Sequence, residues 1–407
     1  MTTDSSVQRA GFAQGLTVII AGFLPILAIV SMFPAVPAMI AHFGDDPNAN
    51  WKVPAMVSAP GLTIAIVALF AGVLVDKFGR RKLLLAATLV YGLFGALPFL
   101  LESLDAIYAS RLALGLAEAV ILTTLNTLIA DYWAEDGRRN WLTLQGLVGP
   151  ALSSVMIFFA GSLAAWRWNG IFLLYLVAFP IFLAMLRWMY EPASDATARR
   201  MLGMDEDRSA SRFPWPTVLS IGALTLFASA LYYVFIINGG LVWKELGVAD
   251  PHAIGQISAL PTLFILVGAV IFWWMGKRGL SSRVQIATFL AILGSGLAIM
   301  GLATDWRWMI AGMVVQQTGA GMAIPSLIAW AQSKLPFAHR GRGMGVWTAC
   351  FFFGQFSSPL LINVISRVAG TMQGAFLVAG LIGVAGAIGV ALLLGRRERA
   401  MPAPMPA

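Results

Sequence analysis

The chain has 407 residues, of which 59% are hydrophobic and 11% are charged. Soluble domains carry about 25% charged and about 45–50% apolar residues. A soluble protein of this composition would expose apolar surface on every side, so the sequence indicates an integral membrane protein. The net charge of +8 is compatible with nucleic-acid binding, but the distribution of the charges along the chain argues against it.

Twelve apolar stretches approach or exceed the ~20 residues that a helix needs to cross a bilayer. Because backbone amides in lipid need internal partners, each stretch is predicted to be a helix, and the length and apolar density of the stretches argue against a β-barrel. In chain order they span about 17–41, 53–75, 83–101, 106–130, 141–164, 170–190, 216–239, 253–275, 284–303, 306–331, 343–366 and 373–395.

Lysine and arginine are distributed unevenly between the two sides of the membrane. Of the 27 basic residues, Arg111 lies inside a span, and the outer segments carry only Lys52, Arg167, Lys244, Arg307 and Arg367. Cytoplasmic loops usually carry the excess of Lys and Arg. We therefore expect both termini in the cytoplasm, and the basic charge needs no nucleic-acid partner.

A polar, charged segment divides the spans into six and six. The predicted domains are an N-terminal six-helix bundle at 1–190, a cytoplasmic linker at 191–212, and a C-terminal bundle with a short tail at 213–407. Faint similarity between the halves, such as Gly115 with Gly319, fits two parallel repeats packed around a central site.

The loop between the second and third spans carries the most specific motif. Residues 72–82 read Gly-Val-Leu-Val-Asp-Lys-Phe-Gly-Arg-Arg-Lys. This run resembles the signature loop of the major facilitator superfamily, and the resemblance extends over essentially the whole chain. It implies an all-α integral membrane protein whose twelve transmembrane helices form two bundles around a cavity that opens to one side at a time.

The resemblance also implies a gate at the cytoplasmic surface. In the family, the Asp and the first Arg of this loop form a charge network with an acid at the inner end of the fourth helix; here these are Asp76, Arg80 and Asp131. Gly72 and Gly79 would permit close helix approach and a tight turn. A network of this kind can have two arrangements and so favour one state of the transporter.

The fourth span contains two charged residues seven positions apart, Arg111 and Glu118. Seven residues are nearly two helical turns, so both lie on one face. Glu118 would lie about 18 Å below the start of the span near Ala106. Charged groups inside a span normally face the bundle interior and mark function. Glu118 is the only carboxylate predicted near the middle of a span, which makes it the candidate proton carrier, with Arg111 tuning its proton affinity; a structural ion pair is the alternative.

The fifth span contains Gly149-Pro150, followed by Ser153 and Ser154. It resembles the antiporter motif of the drug:proton exporters in the family, in which two glycines occupy the places of the serines. The departure from that motif leaves an ordinary proline kink as the alternative.

Polar and aromatic residues within other spans are candidates for the wall of the substrate cavity. The set comprises Gln145, Gln316, Gln317, Gln355, Phe33 and Tyr232, with Phe235 and Trp330 as further apolar candidates. The two adjacent glutamines are the strongest candidates because the tenth helix lines the cavity in the fold that the chain resembles.

No enzyme motif is visible. The His, Cys and carboxylate residues show no metal-ligand spacing, and there is no phosphate-binding Gly-x-x-x-x-Gly-Lys-[Ser/Thr] run. The spans contain no nucleophile paired with a base. We therefore expect neither an enzyme nor a bound cofactor or metal.

The sequence favours a secondary transporter that resembles the twelve-helix drug:proton antiporter branch of the superfamily and exports small apolar or amphiphilic molecules in exchange for protons. Proton symport of a small organic acid, with Arg111 pairing the carboxylate, is the first alternative. A receptor or channel without transport is the second. The resemblance further implies a monomer in a bacterial inner membrane.

Overall fold

The computed structural model describes residues 10–133, 135–192, 213–336 and 339–399. Every regular element in these ranges is helical. We call residues 10–192 the first half and residues 213–399 the second half. The predicted linker lies outside the described residues from position 193 onward, so its bounds and the two-domain division stay predictions.

The first half contains nine α-helices and two short 3-10 helices within its described residues. The α-helices are α1 (Phe12–Gly22), α2 (Leu24–Val30), α3 (Val36–His42), α4 (Ala49–Val67), α5 (Ala71–Phe78), α6 (Arg80–Ala96), α7 (Leu104–Tyr132), α8 (Glu135–Trp166) and α9 (Ala178–Trp188). The 3-10 helices are Leu97–Leu100 and Gly170–Val177.

The second half contains seven α-helices within its described residues. They are α10 (Trp215–Glu245), α11 (Pro251–Thr262), α12 (Phe264–Lys277), α13 (Ser282–Gly301), α14 (Trp306–Lys334), α15 (Arg340–Ala369) and α16 (Met372–Arg399).

Ten helical segments in the described part of the chain are long and apolar enough to cross a membrane. The two predicted spans outside this set, 53–75 and 306–331, fall on α4 with α5 and on α14. Both α4 and α14 carry polar residues and glycine or proline, and 12 of the 19 residues of α4 and 14 of the 29 residues of α14 are buried. Helices that contact protein rather than lipid need less apolar surface. The all-helical fold is confirmed, while the count of twelve crossings stays a prediction.

Several predicted spans are broken helices. The first span, predicted as continuous over 17–41, is divided into α1, α2 and α3 by interruptions at Phe23 and at residues 31–35. Proline lacks the amide hydrogen that a helix interior needs, and Pro25 and Pro37 lie within the first two residues of α2 and α3. Interruptions of this kind are tolerated in membranes where neighbouring helices satisfy the freed backbone groups.

Glycines allow the helices within each half to approach closely. In the second half, a Cβ added to Gly294 of α13 would lie 2.8 Å from the Gly380 carbonyl oxygen of α16. In the first half, a Cβ on Gly115 of α7 would lie 2.5 Å from the Pro60 carbonyl oxygen of α4. Contacts this close leave no room for a side chain, which is the usual role of small residues between membrane helices.

Among the described residues, two helix pairs form the most extensive contacts between the halves. At the first, which we call the α8–α11 seam, a Cβ on Gly161 would lie 2.5 Å from the Pro251 carbonyl oxygen. The Ser162 hydroxyl lies 3.0 Å from His252 Nδ1, and the Ser154 hydroxyl donates to the Ala259 carbonyl at 2.6 Å. At the second seam, α4 packs on α15, where the Ser58 hydroxyl donates to the Phe356 carbonyl at 3.3 Å. The halves therefore enclose a space between them.

Candidate functional site

A cavity of about 340 Å³ lies between the two halves. Helices from both halves form its wall, and most of the wall is apolar or aromatic. The lining residues include Ile29, Phe33, Glu118, Leu122, Pro150, Ile157, Tyr232, Tyr233, Phe235, Gln317, Phe351, Phe352 and Gln355. A concave, mainly apolar pocket with a few polar groups is the form that small-molecule sites usually take.

Four of the six cavity residues in the predicted set line this space, namely Phe33, Tyr232, Gln317 and Gln355. Phe235 lines it as well, and its ring lies 5.0 Å from that of Phe33 across the two halves. The structure thus brings residues from α10, α14 and α15 to the cavity, together with Phe33 from the first span.

Gln145 and Gln316, which were also predicted to line the substrate cavity, are not among the residues that line this space. The Gln145 amide packs on α1, where a Cβ on Gly22 would lie 2.5 Å from its Nε2 atom. Gln316 is fully buried, and its backbone lies against Gly296 of α13. Adjacent helical residues point about 100° apart, so only Gln317 of the pair reaches the cavity. Trp330 is likewise absent from the wall.

Glu118 is the one carboxylate among the residues that line the cavity. Its side chain is 2% exposed, and its Oε1 atom has no hydrogen-bond partner among the described residues. A buried polar atom without a partner carries a desolvation cost of about 1–3 kcal/mol, and more when the group is charged. Glu118 is therefore a group whose interactions are incomplete without a proton or a ligand.

Arg111 lies in the same helix but is closed off from the cavity. It is fully buried, and Nη1 donates to the Tyr175 hydroxyl at 2.7 Å while Nη2 donates to the Gly95 carbonyl at 3.0 Å. The guanidinium also lies over the rings of Phe172 and Tyr175, at 5.1 and 4.6 Å from their centroids. No ion pair joins Arg111 to Glu118 in the described part of the chain. The structural ion pair considered from the sequence is therefore not formed.

Two tyrosines that sequence reasoning missed surround this arginine. Tyr91 and Tyr175 are both fully buried, with ring centroids 5.4 Å apart. Their hydroxyls donate to carbonyls of the first span, Tyr91 to Leu24 at 2.6 Å and Tyr175 to Ala28 at 2.9 Å. The sequence contained one signal for these contacts, a tyrosine within an apolar span, because a buried tyrosine hydroxyl usually finds a hydrogen-bond partner.

The predicted antiporter motif reaches the cavity. Gly149 and Pro150 both line its wall in α8. The Ser153 hydroxyl donates to the Gly149 carbonyl at 2.9 Å, four residues earlier, while Ser154 bonds across the α8–α11 seam. The hydroxyls of the two serines that replace the family's glycines therefore both donate hydrogen bonds to backbone carbonyls, Ser153 within α8 and Ser154 across to α11.

At the end predicted to be cytoplasmic, Arg80 and Asp131 form an ion pair. Arg80 Nε lies 3.2 Å from Asp131 Oδ2, and both side chains are mostly buried. Gly79 has φ of 83° and joins α5 to α6, a conformation that favours glycine. Gly72 and Asp76 fall in α5, but their side-chain surroundings lie outside the described residues. The gating role of this group stays a prediction.

Glu191 is a further residue at this end that sequence reasoning missed. Its two carboxylate oxygens accept from the amides of Arg80 and Arg81, at 2.7 and 2.8 Å. These amides belong to the first turn of α6, where a helix lacks internal partners and favours a negative charge. The only signal for this role in the sequence was the position of Glu191, an acidic residue directly after a predicted span. Glu191 thus fixes the end of the sixth predicted span to the start of the third.

Comparison with known families decides the classification. The profile of the Major Facilitator Superfamily matches this chain twice, over residues 18–243 and 219–406. The chain belongs to the Major Facilitator Superfamily. This confirms the resemblance read from the 72–82 loop and identifies a multi-pass membrane transporter rather than an enzyme.

Curated members of the superfamily resemble the chain over most of its length. The enterobactin exporter EntS of Citrobacter koseri is 26% identical, over 96% of this chain and 94% of the exporter. The 3-(3-hydroxy-phenyl)propionate transporter of Escherichia coli K12 is 25% identical, over 82% of this chain and 83% of that protein.

Solved superfamily structures share the fold at low sequence identity. The inward open conformation of the xylose transporter XylE from E. coli superposes with a TM-score of 0.73 at 12% identity and covers 92% of this chain and 94% of XylE. A POT family transporter in complex with a thioalcohol-conjugated peptide gives 0.72 at 12% identity and covers 98% of this chain and 100% of its own. These similarities establish the architecture and leave the substrate open.

Proposed function

We propose that this superfamily member exports small apolar or amphiphilic molecules in exchange for protons, by alternating access of the central cavity. The observation that carries the proposal is Glu118, a buried carboxylate that faces an otherwise uncharged cavity wall. Burial disfavours the charged form of a carboxylate, so binding of a proton and binding of substrate can compete at this residue.

Proton and substrate must bind the inward and outward states unequally for coupling to occur. Phe33, which lines the cavity, contacts Phe235 of the other half at the end predicted to face outward. Arg80, Asp131 and Asp76 occupy the opposite, cytoplasmic end of the proposed twelve-helix arrangement. Contacts at the outward end and at the cytoplasmic end would then form in turn. The charge network of Arg80, Asp131 and Asp76 would stabilise the outward-open state.

Export is supported by the resemblance to the enterobactin exporter, at 26% identity, and by the two residues of the antiporter motif in the cavity wall. The proposal includes a bacterial inner membrane as the location and a monomer as the working unit. The proton is proposed as the coupling ion because Glu118 is the one carboxylate in the cavity wall and forms no ion pair within the described residues.

The second candidate is proton symport of a small organic acid. It is favoured by the resemblance to the 3-(3-hydroxy-phenyl)propionate transporter, at 25% identity. Arg111, the residue expected to bind the carboxylate of such a substrate, donates to Tyr175 and to backbone carbonyls outside the cavity. A negatively charged substrate would meet Glu118 without a compensating cation, which makes this function the weaker of the two.

Transport in vesicles distinguishes the two functions. Purified protein in liposomes with an acidic interior would be offered three probes separately: enterobactin, 3-(3-hydroxyphenyl)propionate and the amphiphilic cation ethidium. Exchange predicts accumulation of at least one probe inside, against the outward flow of protons. Movement of every transported probe only in the direction of the protons would overturn the export proposal. Protein-free liposomes give the background.

A further inference from the structure

The first predicted span unwinds beside the cavity, and the unwinding frees one carbonyl. Beyond the end of α2, the amide of Met32 donates to Ile29 O at 3.2 Å rather than to Ala28 O. The Ala28 carbonyl therefore loses the amide that a continuing helix would supply. It accepts instead from the Tyr175 hydroxyl, at 2.9 Å.

The same hydroxyl accepts from Arg111 Nη1 at 2.7 Å. Tyr175 thus links a buried charge in α7 to the point where the first span breaks. Its ring is fixed by close packing, since a Cβ on Gly95 would lie only 2.3 Å from the Tyr175 ring. A hydroxyl held by a charged donor and a carbonyl acceptor makes stronger bonds than a neutral pair.

The residues that follow the break reach the second half. Phe33 lies in the unwound stretch 31–35, lines the cavity and packs on Phe235. A Cβ on Gly240 of α10 would lie 2.7 Å from the Phe33 carbonyl oxygen and 3.1 Å from Pro37 Cδ. The position of the break therefore decides how closely the first span approaches α10.

We propose that Tyr175 is a positioning residue that couples Arg111 to the break in the first span and holds the outward end of the cavity closed. This rests on the proposed alternating access, but it assigns a role to a residue that touches neither the proton site nor the substrate. Without the hydroxyl, the Ala28 carbonyl has no donor from Tyr175, and the segment that carries Phe33 is free to leave α10.

The test measures the opening at that end directly. Spin labels would be attached to Asp45→Cys and Ala249→Cys, two exposed positions on the loops of the two halves, in a Cys350→Ser background. Pulsed electron-electron resonance gives the distance distribution between the labels. Tyr175→Phe keeps the ring and removes the hydroxyl, and it is expected to raise the ratio of long to short distances at least tenfold.

Tyr91→Phe is the matched control, because it also removes a buried hydroxyl that donates to the first span. Its acceptor, the Leu24 carbonyl, belongs to the first residue of α2, beside the interruption at Phe23 and at the opposite end of α2 from the break at residues 31–35. A clearly smaller shift is expected for this variant. An unchanged distribution for Tyr175→Phe, or equal shifts for both variants, would overturn the proposal.

A second variant decides the matter if Tyr175→Phe does not fold. Arg111→Lys keeps the positive charge but removes the planar fork that contacts both Tyr175 and the Gly95 carbonyl. The proposal expects it to shift the distances in the same direction, and no shift would contradict it. The distance measurement needs neither substrate nor proton gradient, so failure of the export proposal would leave this result interpretable.

Discussion

The charged residues of this chain separate into those that face the cavity and those that hold the helices around it. Glu118 lines the cavity with an unpartnered oxygen, whereas Arg111 is enclosed by tyrosine, phenylalanine and carbonyl groups. The sequence placed both on one helix face, which is correct for their spacing. It could not show that neighbouring helices enclose only one of them.

Replacing Glu118 by Gln is the most direct test of the proton site. We expect probe accumulation driven by the pH gradient to fall to the background of protein-free liposomes, because the amide cannot take up or release a proton. The melting temperature should be unchanged or higher, since burial of an unpartnered carboxylate is unfavourable. Glu102→Gln, an exposed acid before α7, is the control and should retain transport. Undiminished coupling in the Glu118 variant would exclude it as the carrier.

The Arg80–Asp131 pair is testable by a double-mutant cycle. Because both side chains are mostly buried, Arg80→Ala should lower the free energy of unfolding by about 1–3 kcal/mol. Thermal unfolding in detergent micelles of Arg80→Ala, Asp131→Asn and the double variant gives their interaction energy. We expect the double variant to lose less than the sum of the two single losses. Lys82→Ala, at an exposed neighbouring position, is the control and should change the free energy of unfolding by less than about 0.5 kcal/mol. If the losses of the Arg80 and Asp131 variants were strictly additive in the double variant, the ion pair would contribute nothing to stability.

At the scale of the helices, the sequence predicted the extent of the spans better than their continuity. The apolar stretch 17–41 gave the right region, but three helices occupy it. Pro25 and Pro37 were visible in the sequence, yet proline is compatible with either a kink or a full break. The outcome depends on whether a neighbouring side chain can satisfy the freed carbonyls, as Tyr175 does at Ala28, and that requires the packed structure.

The α8–α11 seam provides a test of close helix contact between the halves. Gly161→Val would place a side chain where even a Cβ lies 2.5 Å from the Pro251 carbonyl. Overpacking of this kind costs about 1–3 kcal/mol, so we expect a lower melting temperature or a wider separation of the Asp45→Cys and Ala249→Cys labels. Gly146→Val is the matched control in the same helix, because no atom lies within 4 Å of its added Cβ. Equal effects of both substitutions would indicate only a loss of helix propensity.

For the whole molecule, composition and the 72–82 loop were sufficient to predict the helical membrane fold and the superfamily. The cavity wall was predicted in part, because a residue's helix could be assigned but its direction around the helix could not. Gln317 faces the cavity and its neighbour Gln316 faces α13. To assign such pairs, one must know how each helix is rotated about its own axis. That rotation is fixed by packing contacts between residues distant in sequence.

The orientation of the molecule rests on the distribution of its basic residues and predicts which loops are accessible from outside the cell. In a Cys350→Ser background, single cysteines at the exposed positions 45 and 249 should react with a membrane-impermeant maleimide on intact cells. Cysteines at positions 82 and 334, also exposed, should react only after the cells are opened. Each half is thereby tested at both ends.

Twelve crossings with an even number in each half require this pattern to repeat in the two halves. If α4 did not cross, positions 82, 249 and 334 would all exchange sides while 45 kept its own, and if α14 did not cross, only position 334 would change. The labelling experiment therefore decides whether the two helices of lower hydropathy, α4 and α14, cross the membrane. If either helix did not cross, every later loop would lie on the opposite side. The expected labelling therefore tests α4 and α14 as membrane spans, which hydropathy alone could not establish.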